Sequence, residues 1–310
     1  MRLPVLAFRG RGAQGRPADN RTAWLMLAPL LTIILLIVGY PLVRTLYLSF
    51  TAGILTAVKV PPRWVGWENY TQALTNPEFL ASLWNSAYFT SVSVGLEMIL
   101  GVLVALLLHQ QFRGRKFVRA LLILPWAIPT IVNAVMWRWI FNPEFGAFNA
   151  LLTQTNVLNT YQSWLGEPGL AMNMVILADV WKNYPIVALI ALAALQGVPD
   201  DVYEAASLDG ANAWTRFWRI TFPDIVGPLS VALVLRTIEA FKVFDIVFVM
   251  TRGGPADSTK TASFHVYQES FTYLRAGSGA SYAYIVVLIS MLLIGAYMWL
   301  LRRQAQGART

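Results

Sequence analysis

Long apolar stretches constrain the fold of this chain more than any other feature of its sequence. A stretch of about 18 or more apolar residues is long enough to cross the hydrocarbon core of a bilayer as a helix. Such a helix satisfies its own backbone hydrogen bonds in lipid, whereas an open sheet does not. The sequence therefore predicts an all-α polytopic membrane protein with six transmembrane helices, near residues 23–43, 86–108, 119–141, 170–195, 224–250 and 281–301.

The composition excludes several other classes of protein. No segment between the apolar stretches is long enough to fold as a separate soluble domain, and 56% of the 310 residues are hydrophobic. The net charge of +8 lies mainly on segments that flank the predicted spans, so we attribute it to topology and not to nucleic-acid binding. The chain has no Cys, and its two isolated His residues indicate no metal cluster.

The positions of Lys and Arg predict the orientation in the membrane. These residues concentrate in both tails and in the second connector, which is typical of the cytoplasmic side. We therefore expect cytoplasmic tails at 1–22 and 302–310, a transmembrane domain at 23–301 and a cytoplasmic connector at 196–223. An N-terminal secretory signal is the alternative for the first stretch, but its apolar run is longer than the core of a signal.

The fifth predicted span carries four charged residues, within "LRTIEAFKVFDIVFVM". Arg236, Glu239, Lys242 and Asp245 recur every third residue with alternating sign, so each is expected to reach the next along the helix surface. Charged groups at membrane depth are costly and usually face a bundle interior or an aqueous path. The pattern indicates the wall of a polar path, with a purely structural ladder of ion pairs as the alternative.

Two other predicted spans are irregular. Pro125 and Pro129 should kink the third span, because each proline removes a backbone hydrogen bond. Polar residues from Asp179 to Asn183 interrupt the fourth span, and an indole beside amide and charged groups suits a sugar. The alternative is that the aromatic residues there anchor the helix at the membrane interface. We expect the substrate path to lie between the third, fourth and fifth spans.

The connector "VPDDVYEAASLDGANAWTRFWRITFP" is acidic where topology alone calls for basic residues. Its pattern predicts a short helix over Val202–Leu208, a change of direction at Gly210 and a second amphipathic piece, "AWTRFWRI". An exposed helix carrying Glu204 is suited to docking on a basic partner protein. The alternative is a hairpin that lies on the membrane surface.

The same connector resembles the EAA loop of permease subunits in bacterial ATP-binding cassette (ABC) importers. The matching positions keep the family's spacing, although Phe222 stands where the family usually has Leu. The resemblance implies that this loop docks on a cytoplasmic ATPase subunit and transmits the closure of the ATPases to the membrane helices. The residues given this coupling role by the resemblance are Glu204, Ala205, Ala206, Asp209 and Gly210.

Further motifs, "YPLVRTLYLSF", "VGWENY", "LPWAIP", "VWKNYP" and "TRGGPADST", resemble the carbohydrate-importer permeases of the maltose, trehalose and glycerol-3-phosphate type. The resemblance is strongest to the maltose-type F subunit, and it implies the type I ABC importer permease fold. Ala240 and Val243 stand where that relative has polar amides, while Glu239 and Lys242 bring charge, so the resemblance does not identify the substrate. The substrate-binding positions that result are Trp126, Thr130, Lys182, Asn183, Ile186, Glu239, Ala240, Lys242 and Val243.

We expect a transport subunit and not an enzyme. The chain contains no GxxxxGK[ST], so ATP and Mg should bind to separate ATPase subunits, and this chain should hold no cofactor. The resemblance implies a second permease, two ATP-binding subunits and an extracytoplasmic sugar-binding protein, assembled in the cytoplasmic (inner) membrane. A disaccharide is the favoured cargo, with a phosphorylated sugar as its rival. An ion-coupled secondary transporter is the alternative function.

Overall fold

The computed structural model describes residues 20–53 and 62–307, and gives side chains for 24–53 and 62–299. The chain divides into two units, residues 1–47 and 48–310. Of the predicted tails, residues 1–19 and 308–310 lie outside the described part. The predicted domain boundaries otherwise stay predictions.

The described residues of the first unit form a helix that coincides with the first apolar stretch. Helix α1 (Asn20–Ile34), a π-helical turn (Leu35–Gly39) and α2 (Tyr40–Ser49) follow one another without a break. From Trp24 to Ser49 this helix has 26 residues, which is enough to cross a membrane. The helical character predicted for 23–43 is therefore confirmed for the described residues.

The described residues of the second unit are mostly helical. This unit contains two π-helical turns, at Phe217–Thr221 and Gln268–Thr272. The helices are α3 (Glu68–Thr75), α4 (Pro77–His109), α5 (Arg115–Ala127), α6 (Thr130–Ile140), α7 (Ala147–Gln154), α8 (Pro168–Leu195), α9 (Asp200–Leu208), α10 (Ala213–Arg216), α11 (Phe222–Phe241), α12 (Asp245–Met250), α13 (Ala262–Tyr267) and α14 (Ala276–Gly307).

A small antiparallel sheet lies in the first loop of the second unit. Strands β1 (Thr51–Ala52) and β2 (Arg63–Trp64) pair with Thr51 opposite Trp64. The side chain of Asn69, at the start of α3, donates hydrogen bonds to the backbone oxygens of Ser49 and Thr51 at 2.8 and 2.9 Å. Pro61 of this loop lies outside the described residues.

The structure supports fewer membrane spans than the six predicted. Among the described residues, four helices are long and apolar enough to cross a membrane, and a bent pair, α5 with α6, would make a fifth. Helix α11 is not among them, because Asp224, Arg236 and Glu239 fall within every 18-residue stretch of its 20 residues. The helical class is confirmed, while the count of six stays a prediction.

Two boundaries differ from the sequence-based expectations. The second predicted span, 86–108, is longer in the structure, because α4 begins at Pro77 and includes most of "NPEFLASLWNS". The side chain of Asn76 caps this helix by accepting from the backbone N–H groups of Glu78 and Phe79 at 2.9 and 3.1 Å. The fifth predicted span, 224–250, is not continuous either, since α11 ends at Phe241 and α12 begins at Asp245.

Helices α4, α8 and α11 form the centre of the second unit. One core cluster joins α4, α6, α8 and α12, and includes Phe89, Ala134, Val175 and Ile246. A second cluster joins α4, α5, α8 and α11 further along the same helices. A third packs α14 against α3, α4 and α13. Helix α8 therefore shares a core with each helix that borders the site described below.

Gly101 allows α4 and α8 to approach each other closely. A Cβ atom at this position would lie 2.6 Å from Cγ1 of Val187 and 3.1 Å from the backbone nitrogen of Ala188. Small residues are used in this way where membrane helices cross. The spacing of α4 and α8, and with it the depth at which their polar residues meet, depends on this glycine.

We predict that Gly101→Val separates α4 from α8 and destabilises the protein by roughly 1–3 kcal/mol, the usual cost of overpacking. The measurement is the thermal unfolding midpoint of the purified protein in detergent. Gly95→Val is the matched control on the same helix, because a Cβ atom there would meet no described neighbour within 4 Å. Equal midpoints for the two variants would contradict the proposed close contact.

Candidate functional site

A cavity of about 460 Å³ lies where two broken helix pairs face the middle of α8. One break separates α5 from α6, and the other separates α11 from α12. The volume falls within the range of small-molecule sites, roughly 300–1,000 Å³. The cavity is lined by Trp126, Thr130, Asp179, Lys182, Asn183, Arg236, Glu239, Ala240, Lys242, Val243, Phe244, Asp245 and Ile246.

The structure brings together nearly all of the residues proposed from sequence as a substrate site. Three separate segments contribute the proposed residues that line this cavity. These residues are Trp126, Thr130, Lys182, Asn183, Glu239, Ala240, Lys242 and Val243. Ile186 does not line it and instead packs against the second core cluster, about one helical turn beyond Asn183. Whether these positions bind substrate is a proposal developed below.

The break between α5 and α6 follows from Pro129, whereas Pro125 lies inside α5, near its end. Helix α5 ends at Ala127 and α6 begins at Thr130, and the two helices are bent by 94°. Pro129 occupies the position just before α6, where its missing N–H costs no helical hydrogen bond. The expected kink is therefore present as a complete break, and it exposes Trp126 and Thr130 at the cavity wall.

The break between α11 and α12 has no proline or glycine to explain it. Lys242 closes α11, with φ −96° and ψ 17°, and Phe244 precedes α12. The hydroxyl of Thr261, which comes from the start of α13, donates to the backbone oxygen of Val243 at 3.0 Å. This bond satisfies a carbonyl freed by the break, as a buried backbone group requires.

Arg236 is the centre of a buried ion cluster beside the cavity. Its Nε and Nη2 atoms donate to the two carboxylate oxygens of Glu97 at 2.7 and 2.9 Å, which is a bidentate pair. Its Nη2 also lies 3.5 Å from Oδ2 of Asp179, and its Nη1 donates to Oε2 of Glu239 at 2.6 Å. Asn183 donates to the other oxygen of Asp179 at 2.9 Å.

The expected ladder of four charges therefore forms only in part. Arg236 does pair with Glu239, but no ion pair of Lys242 or Asp245 occurs among the described residues. The reason is geometric, because α11 ends at Phe241 and the two later residues no longer lie on the same helix surface. Arg236 turns instead to α4 and α8.

Sequence reasoning missed Glu97 as a member of the site. This carboxylate is the only charged residue in the apolar run from Ser86 to Leu108, and it is fully buried. An ionisable residue inside a membrane span is by default a candidate for function, and this rule would have identified it. Within the described residues, no three His, Asp or Glu side chains are grouped so that they could hold a metal ion.

The connector between α8 and α11 has the helix, bend and helix that its sequence predicts. Helix α9 contains Glu204, Ala205 and Ala206, and Asp209 follows its last residue. Gly210 has φ +78°, a conformation that favours glycine and turns the chain toward α10. No residue of α9 is buried, so its surface is open to a partner.

The family of this chain follows from its similarity to known proteins. Residues 97–309 match the family described as "Binding-protein-dependent transport system inner membrane component". The chain belongs to this family. It is therefore an inner-membrane permease component of a transport system and not an enzyme.

Individual relatives agree over most of the chain. The "Trehalose/maltose transport system permease protein MalF" of Thermococcus litoralis is 38% identical over 276 residues, covering 89% of this chain and 91% of that protein. The "Sulfoquinovosyl glycerol transport system permease protein SmoG" of Agrobacterium fabrum is 34% identical over 284 residues, covering 92% and 91%.

A solved structure supports the fold. One chain in the crystal structure of a bacterial ABC transporter involved in the import of the acidic polysaccharide alginate superposes with a TM-score of 0.77. It is 22% identical, and the match covers 92% of this chain and 96% of that one. The predicted type I ABC importer permease fold is confirmed.

Proposed function

We propose that this chain is the permease subunit of an ATP-driven sugar importer and forms half of the path by which the sugar crosses the membrane. The observation that carries the proposal is the cavity, which combines the exposed indole of Trp126 with hydroxyl, amide and charged groups. An aromatic face and convergent polar groups are what a sugar needs. Two relatives named for saccharide-containing cargo support the same class.

The charges of the cavity favour a neutral cargo. The charged side chains that line it are three of each sign: Asp179, Glu239, Asp245, Lys182, Arg236 and Lys242. A balanced wall of donors and acceptors suits hydroxyl groups, which donate and accept hydrogen bonds alike. We therefore favour a disaccharide such as trehalose or maltose.

A sugar phosphate is the second candidate cargo. Among the described residues, neither Lys182 nor Lys242 forms an ion pair within 4.0 Å, although both line the cavity. An ammonium group without a carboxylate partner attracts a phosphate. The alginate and sulfoquinovosyl glycerol systems are also named for cargo other than trehalose or maltose.

The proposed assembly contains this chain, a second related permease, two ATP-binding subunits that carry ATP and Mg, and an extracytoplasmic sugar-binding protein. A related alginate transporter has been solved with a periplasmic protein bound to an alginate pentasaccharide, which supports the last of these partners. We place both termini and the connector 196–223 on the cytoplasmic side, with six spans in all, α11 and α12 together making the fifth. The proposed partners include no nucleic acid.

We propose that the connector couples the ATPase to the cavity through α11. The hydroxyl groups of Tyr203 in α9 and Thr221 lie 3.0 Å apart, and Arg216 donates to Ser207 at 2.8 Å. From α10 to the end of α11 the chain is helical without a break, and it reaches the cavity at Glu239. A displacement of α9 is thus transferred to the cavity wall.

Reconstituted vesicles test the energy source and the cargo together. With this chain, its partner subunits, ATP and Mg present, we expect trehalose to accumulate and to keep accumulating after a protonophore is added. Uptake abolished by the protonophore while ATP remains would favour the ion-coupled alternative, which the relatives do not support. Competition by maltose and by trehalose 6-phosphate then separates the neutral cargo from the phosphorylated one.

Charge reversal tests the coupling role of α9. We expect Glu204→Lys to leave the transporter assembled and to lower the sugar-stimulated ATPase rate about thirtyfold or more, because breaking an interfacial charge pair costs roughly 2–5 kcal/mol. Glu204→Asp keeps the carboxylate and is the control, which should retain most of the rate. A wild-type rate in the assembled Lys variant would exclude the coupling role.

Two substitutions at the cavity wall test the sugar site. Trp126 is 47% exposed, so Trp126→Ala should change stability little and remove the stacking surface. Thr130→Val keeps the shape of the side chain and removes its hydroxyl. We expect each to weaken trehalose binding, the second by about two- to tenfold for one neutral hydrogen bond.

The control is Trp84→Ala, which removes an exposed indole on α4 that does not line the cavity. Equilibrium dialysis of radiolabelled trehalose against the purified transporter measures all three variants. Unchanged binding in both cavity variants would remove this cavity from the path.

A further inference from the structure

Glu97 is a buried carboxylate that does not line the cavity. It lies in the middle of α4, it is 0% exposed, and its two oxygens both accept hydrogen bonds from Arg236 of α11. Packing alone does not call for these charges, because apolar residues of similar size can usually replace a buried ion pair without loss of stability. The pair therefore needs another explanation.

The bidentate contact fixes the plane of the Arg236 guanidinium group. Two of its nitrogens, Nε and Nη2, are held by Glu97, and Asp179 lies 3.5 Å from Nη2 on the side of α8. A fork of this kind adds geometric specificity as well as energy. Only Nη1 is left to point away from the buried carboxylates.

That remaining nitrogen holds Glu239 at the cavity. Nη1 of Arg236 donates to Oε2 of Glu239 at 2.6 Å, and the Glu239 side chain is 67% exposed and lines the cavity. Among the described residues, no hydrogen bond reaches the other oxygen, Oε1. An exposed glutamate is otherwise free to adopt many rotamers, so the contact with Arg236 gives it one orientation, with Oε1 open to accept from a hydroxyl.

We propose that Glu97 is a positioning residue for the substrate site, which acts through Arg236 to hold Glu239 as an oriented acceptor for a sugar hydroxyl. This inference rests on the proposed function, because it assumes that the cavity binds the sugar. It assigns a role in substrate affinity to a side chain that the substrate never touches. Arg236 transmits that role from α4 to α11.

A double-mutant cycle distinguishes positioning from general support of the structure. We expect Glu97→Gln and Glu239→Gln each to weaken the binding of radiolabelled trehalose about tenfold, as expected for one charge-assisted hydrogen bond. Because both act on the same bond to the sugar, the double variant should bind no more weakly than Glu239→Gln alone. Equilibrium dialysis against the complete purified transporter gives the three dissociation constants.

The conservative variant Glu97→Asp tests position separately from charge. It keeps the buried negative charge, so the transporter should assemble, but the side chain is one methylene shorter and draws Arg236 away from Glu239. We expect weaker trehalose binding in a transporter that still assembles. If Glu97→Gln does not assemble, trehalose binding by Glu97→Asp tests the proposal on its own. The control is Thr90→Val, a buried position on α4 whose hydroxyl bonds only within its own helix.

Three results would overturn the proposal. One is wild-type binding by Glu97→Asp, which would show that charge alone matters. Another is a double variant whose fold-loss of trehalose affinity equals the product of the losses in the two single variants. The third is a loss of binding with Glu239→Gln but not with Glu97→Gln. If neither Glu239→Gln nor Trp126→Ala changes binding, the cavity itself is wrong, and the proposed site fails together with this inference.

Discussion

The pairing of one arginine with two buried carboxylates is the interaction that fixes how the central helices meet. A guanidinium group taken out of water costs several kcal/mol unless its charge and its donors are matched. Arg236 of α11 is matched by Glu97 of α4 and Asp179 of α8, at 2.7–3.5 Å. Because no single helix supplies the partners, the three helices must meet at one depth. The wall of the cavity is thereby fixed at the place where α8 and α11 face each other.

The cavity owes its position to the ends of helices. A continuous helix in lipid leaves no backbone group unsatisfied, so a break is tolerated only inside the protein or beside a polar cavity. Pro129 accounts for the first break, between α5 and α6. At the second break, Thr261 from α13 satisfies the freed carbonyl of Val243. The two breaks therefore place polar side chains beside the cavity. The connector 196–223 leads directly into α11, which reaches the same cavity.

The extent to which the site could be predicted differs from residue to residue. Trp126 and Asn183 line one cavity, and the sequence points to both because motif spacing and proline positions are local features. Ile186 does not line the cavity, since one further turn of α8 carries its side chain toward the second core cluster. Lys242 lines the cavity as expected, but its expected ion pairs do not form. The break that separates it from α11 is stabilised by a residue far along the chain, which no local pattern reveals.

The sequence by itself determined the membrane class, the positions of most helices, the bend at Gly210 and the acidic connector. These features depend on apolar length, on residue spacing and on the backbone preferences of glycine and proline, all of which act within a few residues. Only the tertiary structure decided that Glu97 meets Arg236, which lies 139 residues later. Such a pairing depends on how closely α4 approaches α8 at Gly101 and on the depth at which α11 packs against both, because a charge in the membrane interior is stable only where helix packing brings its partner within hydrogen-bond distance.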